Sequence, residues 1–294
     1  MRTKRVERYE TIADLRASLA PARRAEHSIG VVPTMGYLHA GHLELVRRAR
    51  AETDVVVVTI FVNPTQFGEN DDFANYPRNM ERDLALLRQA GVDAVFTPSV
   101  AEMYPAPLQT AIALKPLGDM LIGTVRPGHF TGVATVVAKL FNITQPTRAY
   151  FGEKDFQQLA VIRRMVADLD IPVEIVGVPT VREADGLAMS SRNVRLSPQD
   201  RVAARVLSAA LREGAAMIAA GERDPQRVLA VLEEMIAAEP GVLLRSLDIG
   251  DAADLAAIAT IDRPVVLLVT AMVGPVLLID QQEAWPKAGR EESR

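Results

Sequence analysis

Ser28-Ile-Gly-Val-Val-Pro-Thr-Met-Gly-Tyr-Leu-His-Ala-Gly-His42 passes from a short apolar run, through proline and glycine punctuation, into a helical pattern that extends from about residue 42 to 51. The next run, Val55-Val-Val-Val-Thr-Ile-Phe-Val62, is rich in β-branched residues and shows no alternation, as expected of a strand covered on both faces. Strand, helix and buried strand in that order point to a parallel sheet, because parallel neighbours need a crossover between them. The alternation continues with a helix over 79–90, a strand over 94–97, a helix over 131–142 and a strand over 149–151. A helix over 156–169 and a strand over 173–178 complete it. No element is assigned ahead of residue 28.

The pattern changes over 180–193, a polar stretch with Gly186 and little periodicity. Two helices are expected beyond it, over 198–220 and 225–238, each opening on a proline that suits a first helical turn. Strands follow at 243–249, 265–273 and 276–279, the last two joined by a tight turn at Gly274-Pro275. This part reads as a smaller, antiparallel α+β domain. The chain is expected to divide near residue 181, into domains over 1–181 and 182–294. Residues 284–294 mix proline, glycine and charge, as in a mobile tail.

Composition narrows the function. The chain has 294 residues, 49% apolar and 24% charged, ordinary for a soluble protein and long enough to bury a core unaided. Lys and Arg total 33 against 37 Asp and Glu, a net charge of −4, which argues against nucleic-acid binding by bulk electrostatics. Cysteine is absent, excluding disulfides, thiol catalysis and thiolate-held metals, and with four histidines a metal site would need nearly all of them. The amino-terminal residues are charged and lack the apolar run of a signal peptide. The longest apolar stretch, 264–279, falls short of the ~20 residues of a bilayer span. A cytoplasmic enzyme or binding protein is expected, with no nucleic-acid partner and no membrane role.

No G-x-x-x-x-G-K-[ST] phosphate loop, G-x-G-x-x-G fingerprint, H-E-x-x-H zinc helix or G-x-S-x-G nucleophile elbow is present. What remains is the turn from the first strand into the first helix. Gly36 and Gly41 let backbone approach a ligand, and His39 and His42 stand three apart on one helical face. A helix start offers N–H groups and a positive dipole end to phosphate, and imidazoles there can donate hydrogen bonds as charge develops. By themselves these residues equally describe an ordinary helix start with two surface histidines.

H-x-G-H after the first strand of a parallel sheet is similar to the signature of the nucleotidyltransferase-like superfamily, which includes the class I aminoacyl-tRNA synthetases. The longer string from Pro33 to His42 resembles the pantothenate synthetase (pantoate–β-alanine ligase) family, and the resemblance recurs in order down the chain. Its further blocks are Phe61-Val-Asn-Pro-Thr-Gln-Phe67, Tyr76-Pro-Arg78, Arg126-Pro-Gly-His-Phe-Thr-Gly132, Phe151-Gly-Glu-Lys-Asp-Phe-Gln-Gln158 and Asp185-Gly-Leu-Ala-Met-Ser-Ser-Arg-Asn193. His27 falls in none of them and is given no role.

The resemblance implies a Rossmann-like parallel-sheet domain for ATP and pantoate, followed by a lid-like C-terminal domain. It implies condensation of pantoate with β-alanine through a pantoyl adenylate, releasing pyrophosphate and AMP, with Mg²⁺ carried by the nucleotide. A homodimer is implied as well. ATP would be held by Met35, Gly36, Tyr37, Leu38, His39, Ala40, Gly41 and His42, by Gly152, Glu153, Lys154 and Asp155, and by Val181 through its backbone. Met189, Ser190, Ser191 and Arg192 resemble a flexible phosphate-gripping loop. The matching residues Gln66 and Gln158 would bind pantoate, with Asn63 beside them and Met35 against its methyls. His42 matches a proton donor, and His39, Lys154, Ser190, Ser191 and Arg192 would neutralise phosphate charge. Asp83 could position the metal ion or be a surface acid on a helix.

Some positions depart from the family pattern. Ile122 stands where a glutamate is common, in a 106–125 stretch that is slightly shortened, and Leu277 and Gln281 replace an arginine and an asparagine. The rival within enzymes is a simple nucleotidyltransferase, for which basic residues rather than Asn63 and Gln66 would surround the acceptor. A non-catalytic nucleotide sensor would have no need of His39, His42, Lys154 and Ser190-Ser191-Arg192.

Overall fold

A computed structural model of the chain describes residues 6–68 and 73–286. Its elements run β1 (Glu7–Tyr9), α1 (Ile12–Arg24), β2 (Ile29–Thr34), α2 (Ala40–Glu52), β3 (Val55–Ile60), a 3-10 turn at Pro64–Gln66, and α3 (Met80–Gln89). There follow β4 (Ala94–Phe96), α4 (Val100–Met103), α5 (Ile122–Val125), α6 (His129–Thr144), β5 (Arg148–Gly152), α7 (Phe156–Asp168) and β6 (Glu174–Val178). Helices α8 (Pro198–Ala220) and α9 (Pro225–Ala237) precede β7 (Val242–Asp251), β8 (Val265–Val273) and β9 (Val276–Ala284). They group into two compact units: residues up to 153 with 161–181 and 189–191, and residues 154–160, 182–188 and 192 onward.

In the first unit the described strands form a parallel sheet of six, ordered β1-β4-β3-β2-β5-β6. Strand order reverses between β2 and β5, and open α/β sheets bind ligands beyond the carboxyl ends of the strands at such a reversal. The valine run is buried along almost its whole length, which explains its missing alternation. Val56, Val58 and Ile60 pack with Leu45, Val46 and Leu87 of α2 and α3. The side chains between them turn to the opposite face. There α6 lies on β2, with α1 against α6.

Helix α2 is tied to the sheet by more than apolar contact. Tyr150 of β5, fully buried, donates its hydroxyl to Glu52 in the last turn of α2 (3.1 Å). Burial, then the neighbouring Glu52 carboxylate, pushes the Tyr150 phenol up to about 12, so it remains a donor. Gly30 of β2 leaves room for this pair: a Cβ there would lie 2.6 Å from Thr53 Oγ1 and 3.2 Å from the Tyr150 ring.

Elements β1, α1, α4 and α5 were not expected from the sequence, and α6 and β9 differ in their bounds. The β1 strand and α1 precede residue 28, where none was assigned. The strand is three residues long, on the edge beside β4. Helix α1 buries only Leu15 and Leu19 and contains Pro21, so its sequence has a thin apolar stripe; its start is set by Thr11, whose side chain accepts from Asp14 N (3.1 Å). Helix α6 begins at His129 rather than 131 because Gly128, at φ +79°, starts it in the left-handed region. Strand β9 runs to Ala284, past 279, since β8 supplies backbone partners for its polar half: Gln281 pairs with Leu268 and Ala284 with Val265. The expected tail beyond residue 286 lies outside the described residues.

In the second unit β7, β8 and β9 form an antiparallel sheet in that order. Leu207, Leu211 and Ile218 of α8 and Val228, Leu232 and Ile236 of α9 form one core with Leu267, Val269 and Ala271 of β8. Gln281 is 6% exposed within this sheet, and Leu277 lies opposite Met272. Among the described residues no helix is long and apolar enough to cross a membrane.

Replacing Leu15, which is fully buried, by alanine should cost about 2–5 kcal/mol of stability, read from urea unfolding followed by circular dichroism. An unchanged midpoint would show that α1 is dispensable to the core.

Candidate active site

Strand β2 hands the chain to α2 through a turn that departs from ordinary backbone geometry. Gly36 lies at φ +85° and Tyr37 at φ +51°, consecutive left-handed residues of which only the first is a glycine. Thr34 Oγ1 accepts from Gly36 N (3.2 Å) and donates to the Thr59 carbonyl (2.7 Å). Asp83, 1% exposed in the first turn of α3, accepts from Tyr37 N (2.7 Å) through one oxygen and from Leu38 N (2.8 Å) through the other. It is therefore not a surface acid: burial and two backbone donors place it inside the turn.

His39 is the N-cap of α2 and His42 its third residue. His39 Nδ1 accepts from Gly41 N (3.1 Å), and His42 Nδ1 accepts from His39 N (3.3 Å), a reciprocal capping box with imidazoles in the usual Ser and Glu places. The ring centroids are 4.0 Å apart. A ring nitrogen that accepts from an N–H carries no proton, so each neutral ring bears its hydrogen on Nε2. Both rings are thus set as Nε2–H donors at a helix start.

Beyond the end of β3, Asn63 and Gln66 are 1% and 8% exposed. Asn63 Nδ2 donates to Gln66 Oε1 (3.2 Å) and to the Gly132 carbonyl (3.3 Å). Its Oδ1 accepts from Thr65 N (3.3 Å), Thr65 Oγ1 (3.1 Å) and Tyr104 hydroxyl (2.7 Å). Burial raises the Tyr104 phenol above its usual range, which keeps that donor protonated. Gln66 Nε2 lies 3.4 Å from Met35 Sδ, so three of the four side chains expected to hold an organic acid, Met35, Asn63 and Gln66, meet here. The Gln66 carbonyl is bonded by His129 Nδ1 (2.8 Å) and Arg126 (3.3 Å). A Cβ on Gly132 would fall 2.3 Å from the Thr65 carbonyl oxygen, so only glycine lets α6 approach this turn.

Residues 189–191 belong to the same unit. Met189 N donates to the Val181 carbonyl (3.0 Å). A Cβ on Gly41 would be 3.7 Å from Met189 Cβ, placing this segment against the start of α2. The hydroxyls of Ser191 and Tyr76, both buried, are 3.1 Å apart. Tyr76-Pro-Arg78 itself is folded by Arg78, which donates to the Tyr76 carbonyl (3.0 Å) and the Phe73 carbonyl (3.1 Å). His39, His42, Met35, Asn63, Gln66, Val181, Met189, Ser190 and Ser191 therefore share one compact unit. Tyr76 and His129 lie in the family-like blocks with no role assigned to them, and Asp83 reads from the sequence as a metal-positioning or surface acid. What the sequence does not show is their contacts with Ser191, the Gln66 carbonyl and the Tyr37 and Leu38 amides.

Lys154, Asp155, Gln158 and Arg192 lie in the second unit. Lys154 Nζ is 3.8 Å from Asp155, and the lysine is the less exposed of the two. Arg192 is in the 3-10 turn Ser191–Arg195. Asn193, 7% exposed, donates through Nδ2 to Glu183 Oε1 (2.8 Å) and to the Ala188 carbonyl (3.0 Å). Arg182 forms a two-pronged pair with Asp280 (2.7 and 3.0 Å) and also bonds the Gly186 carbonyl (3.1 Å). Burial opposes ionisation of Glu183, but bonds from Arg201 and Asn193 outweigh it and hold the carboxyl below its usual range. Among the described residues no group of three His, Cys, Asp or Glu is placed to hold a metal ion.

Residues 7–283 match the family described as Pantoate-beta-alanine ligase. A pantothenate synthetase of Rhizobium meliloti is 55% identical over 281 residues, 95% of this chain and 97% of that one. One from Rhizobium rhizogenes is 61% identical over 235 residues, 80% and 81% of the two chains. Among solved structures, pantothenate synthetase from Thermus thermophilus superposes with a TM-score of 0.91 at 48% identity, over 96% of this chain and 100% of that one. A pantoate-beta-alanine ligase from Francisella tularensis, complexed with beta-gamma ATP and beta-alanine, gives 0.78 at 33% identity over 94% and 97%. With its histidine-capped helix start and its Met35–Gln66 cluster in a fold shared along nearly the whole length, the chain belongs to the pantoate–β-alanine ligase family.

Proposed function

We propose that the chain condenses pantoate with β-alanine to give pantothenate, converting ATP to AMP and pyrophosphate through a pantoyl adenylate. The observation that carries this reading is the meeting, in one unit, of two Nε2–H imidazoles at a helix start with an uncharged Met35–Gln66 subsite. Amides bind a hydroxylated acid without neutralising the carboxylate that must react.

In the first step a pantoate carboxylate oxygen attacks the α-phosphorus, and the bond to the bridging oxygen breaks as pyrophosphate leaves. The carboxylate is already ionised at pH 7, so no general base is needed. The barrier lies in placing two anions in line and neutralising charge on the phosphoryl oxygens. His39 and His42 would donate from Nε2, His42 serving as proton donor, while Lys154 and Arg192 supply positive charge and Ser190 and Ser191 supply hydroxyls. The nucleotide would span Met35 to His42, with Gly152, Glu153 and Lys154 at phosphate, Asp155 at ribose and the Val181 backbone at adenine; Mg²⁺ would arrive bound to it.

Gln66 and Gln158 would hold pantoate, Met35 would contact its methyls, and Asn63 would serve the subsite through the Gln66 carboxamide that it already bonds. In the second step the β-alanine amine attacks the acyl carbon and AMP leaves. We further propose that residues 182–294 act as a lid-like domain keeping water from the adenylate, and that the enzyme is a cytoplasmic homodimer.

AMP should appear only when ATP, Mg²⁺, pantoate and β-alanine are supplied together; release indifferent to β-alanine would refute the ligase. Substituting His42 by alanine should slow pantoate-dependent pyrophosphate exchange about 10²–10³-fold with the circular dichroism spectrum intact. Gln66→Ala should weaken pantoate by roughly 1 kcal/mol and leave ATP affinity unchanged in calorimetry.

A further inference from the structure

Asp83 is a carboxylate with 2% of its side chain exposed, and its surroundings account for both oxygens. One accepts from Tyr37 N and the other from Leu38 N, at 2.7 and 2.8 Å. The nearby cation is Arg82, whose guanidinium is 3.7 Å from Oδ1 and lies over the Tyr37 ring, 5.3 Å from its centroid. A Cβ on Gly36 would meet Asp83 Oδ2 at 3.2 Å and Ile60 Cγ2 at 2.9 Å, so the carboxylate rests on bare backbone. Immediately beyond Leu38 stands His39, the cap of α2.

Tyr37 occupies the left-handed region at φ +51°, which a side chain resists and which an outside contact must hold. The two amides that Asp83 binds follow from that conformation, since they turn the N–H groups of residues 37 and 38 toward one point. We infer that Asp83 is a positioning residue: it locks residues 36–38 so that His39 and His42 enter α2 with their Nε2–H groups aligned on the reacting phosphate, without touching substrate or metal. The inference rests on the role proposed above for the two imidazoles.

Asp83→Asn keeps the shape but turns one acceptor into a donor facing an N–H, so one bond is lost. Exchange of the Tyr37 and Leu38 amides with deuterium, read by NMR on the protein without nucleotide, should accelerate about tenfold or more. The kcat of pantoate-dependent pyrophosphate exchange should fall about 10–100-fold, while the pantoate KM and the Mg²⁺ concentration for half-maximal rate change less than about twofold. Adding Tyr37→Gly, which adopts the left-handed region freely, should restore part of the lost kcat.

Unchanged kcat despite faster amide exchange would overturn the inference. So would a loss reversed by excess Mg²⁺, which would make Asp83 a metal ligand, or a double variant no faster than the single one. If Asp83→Asn does not fold, the double variant takes its place, and a Leu38 amide as protected as in the parent would also overturn it. Absence of pantoate-dependent exchange in the parent enzyme would instead refute the proposed reaction, and the amide measurement would still judge Asp83.

Discussion

The first N–H groups of a helix have no partner within it, and how this chain satisfies those around the start of α2 governs the rest of the site. Thr34 takes Gly36 N, the Asp83 carboxylate takes the next two, His42 takes that of His39, and His39 takes that of Gly41. Side chains do this work along the whole turn. Using the imidazole Nδ1 atoms as acceptors puts the proton of each ring on Nε2, so capping the helix also sets the tautomer of both histidines. Two left-handed residues in a row are the geometric cost, and they explain why a glycine precedes Tyr37.

The Asn63–Gln66 cluster rests on a similar principle of saturation. Asn63 is fully engaged by Gln66, Gly132, Thr65 and Tyr104, which leaves the neighbouring glutamine as the adaptable amide. Arg126 and His129 grip the Gln66 backbone, and Gly132 admits α6 close enough for its carbonyl to accept from Asn63. The arginine–histidine–glycine block thus fixes the Asn63–Gln66 turn through bonds to backbone carbonyls.

Much of the fold was legible because burial on two faces leaves a sequence trace: the run from Val55 has no polar positions for solvent, and β3 is where that run falls. The antiparallel hairpin of β8 and β9 was legible for its apolar strands and Gly274 turn. The polar end of β9 was not, since Asp280 and Gln281 are held by ladder bonds and a half-buried arginine rather than by hydrophobicity. Nor were β1 and α1, an edge strand of three residues and a helix with a two-residue apolar stripe. In the site, the two histidines stood out by spacing, whereas Asp83 sits in a charged Glu81-Arg82-Asp83 stretch that reads as solvated. Its partners are backbone groups 45 and 46 residues away, and backbone amides leave no mark in a sequence.

The Arg182–Asp280 pair spans 98 residues. During synthesis the segment carrying Arg182 and Gly186 leaves the ribosome well before its carboxylate anchor, with the whole of α8 and α9 translated between them. Domains tend to fold from the amino terminus as they emerge, so the parallel sheet can mature early, while the stretch leading into Met189–Arg192 stays without its anchor until β9 is laid down. A nascent chain would therefore form its histidine-capped helix early, while Arg182 gains its carboxylate partner only when β9 has been made.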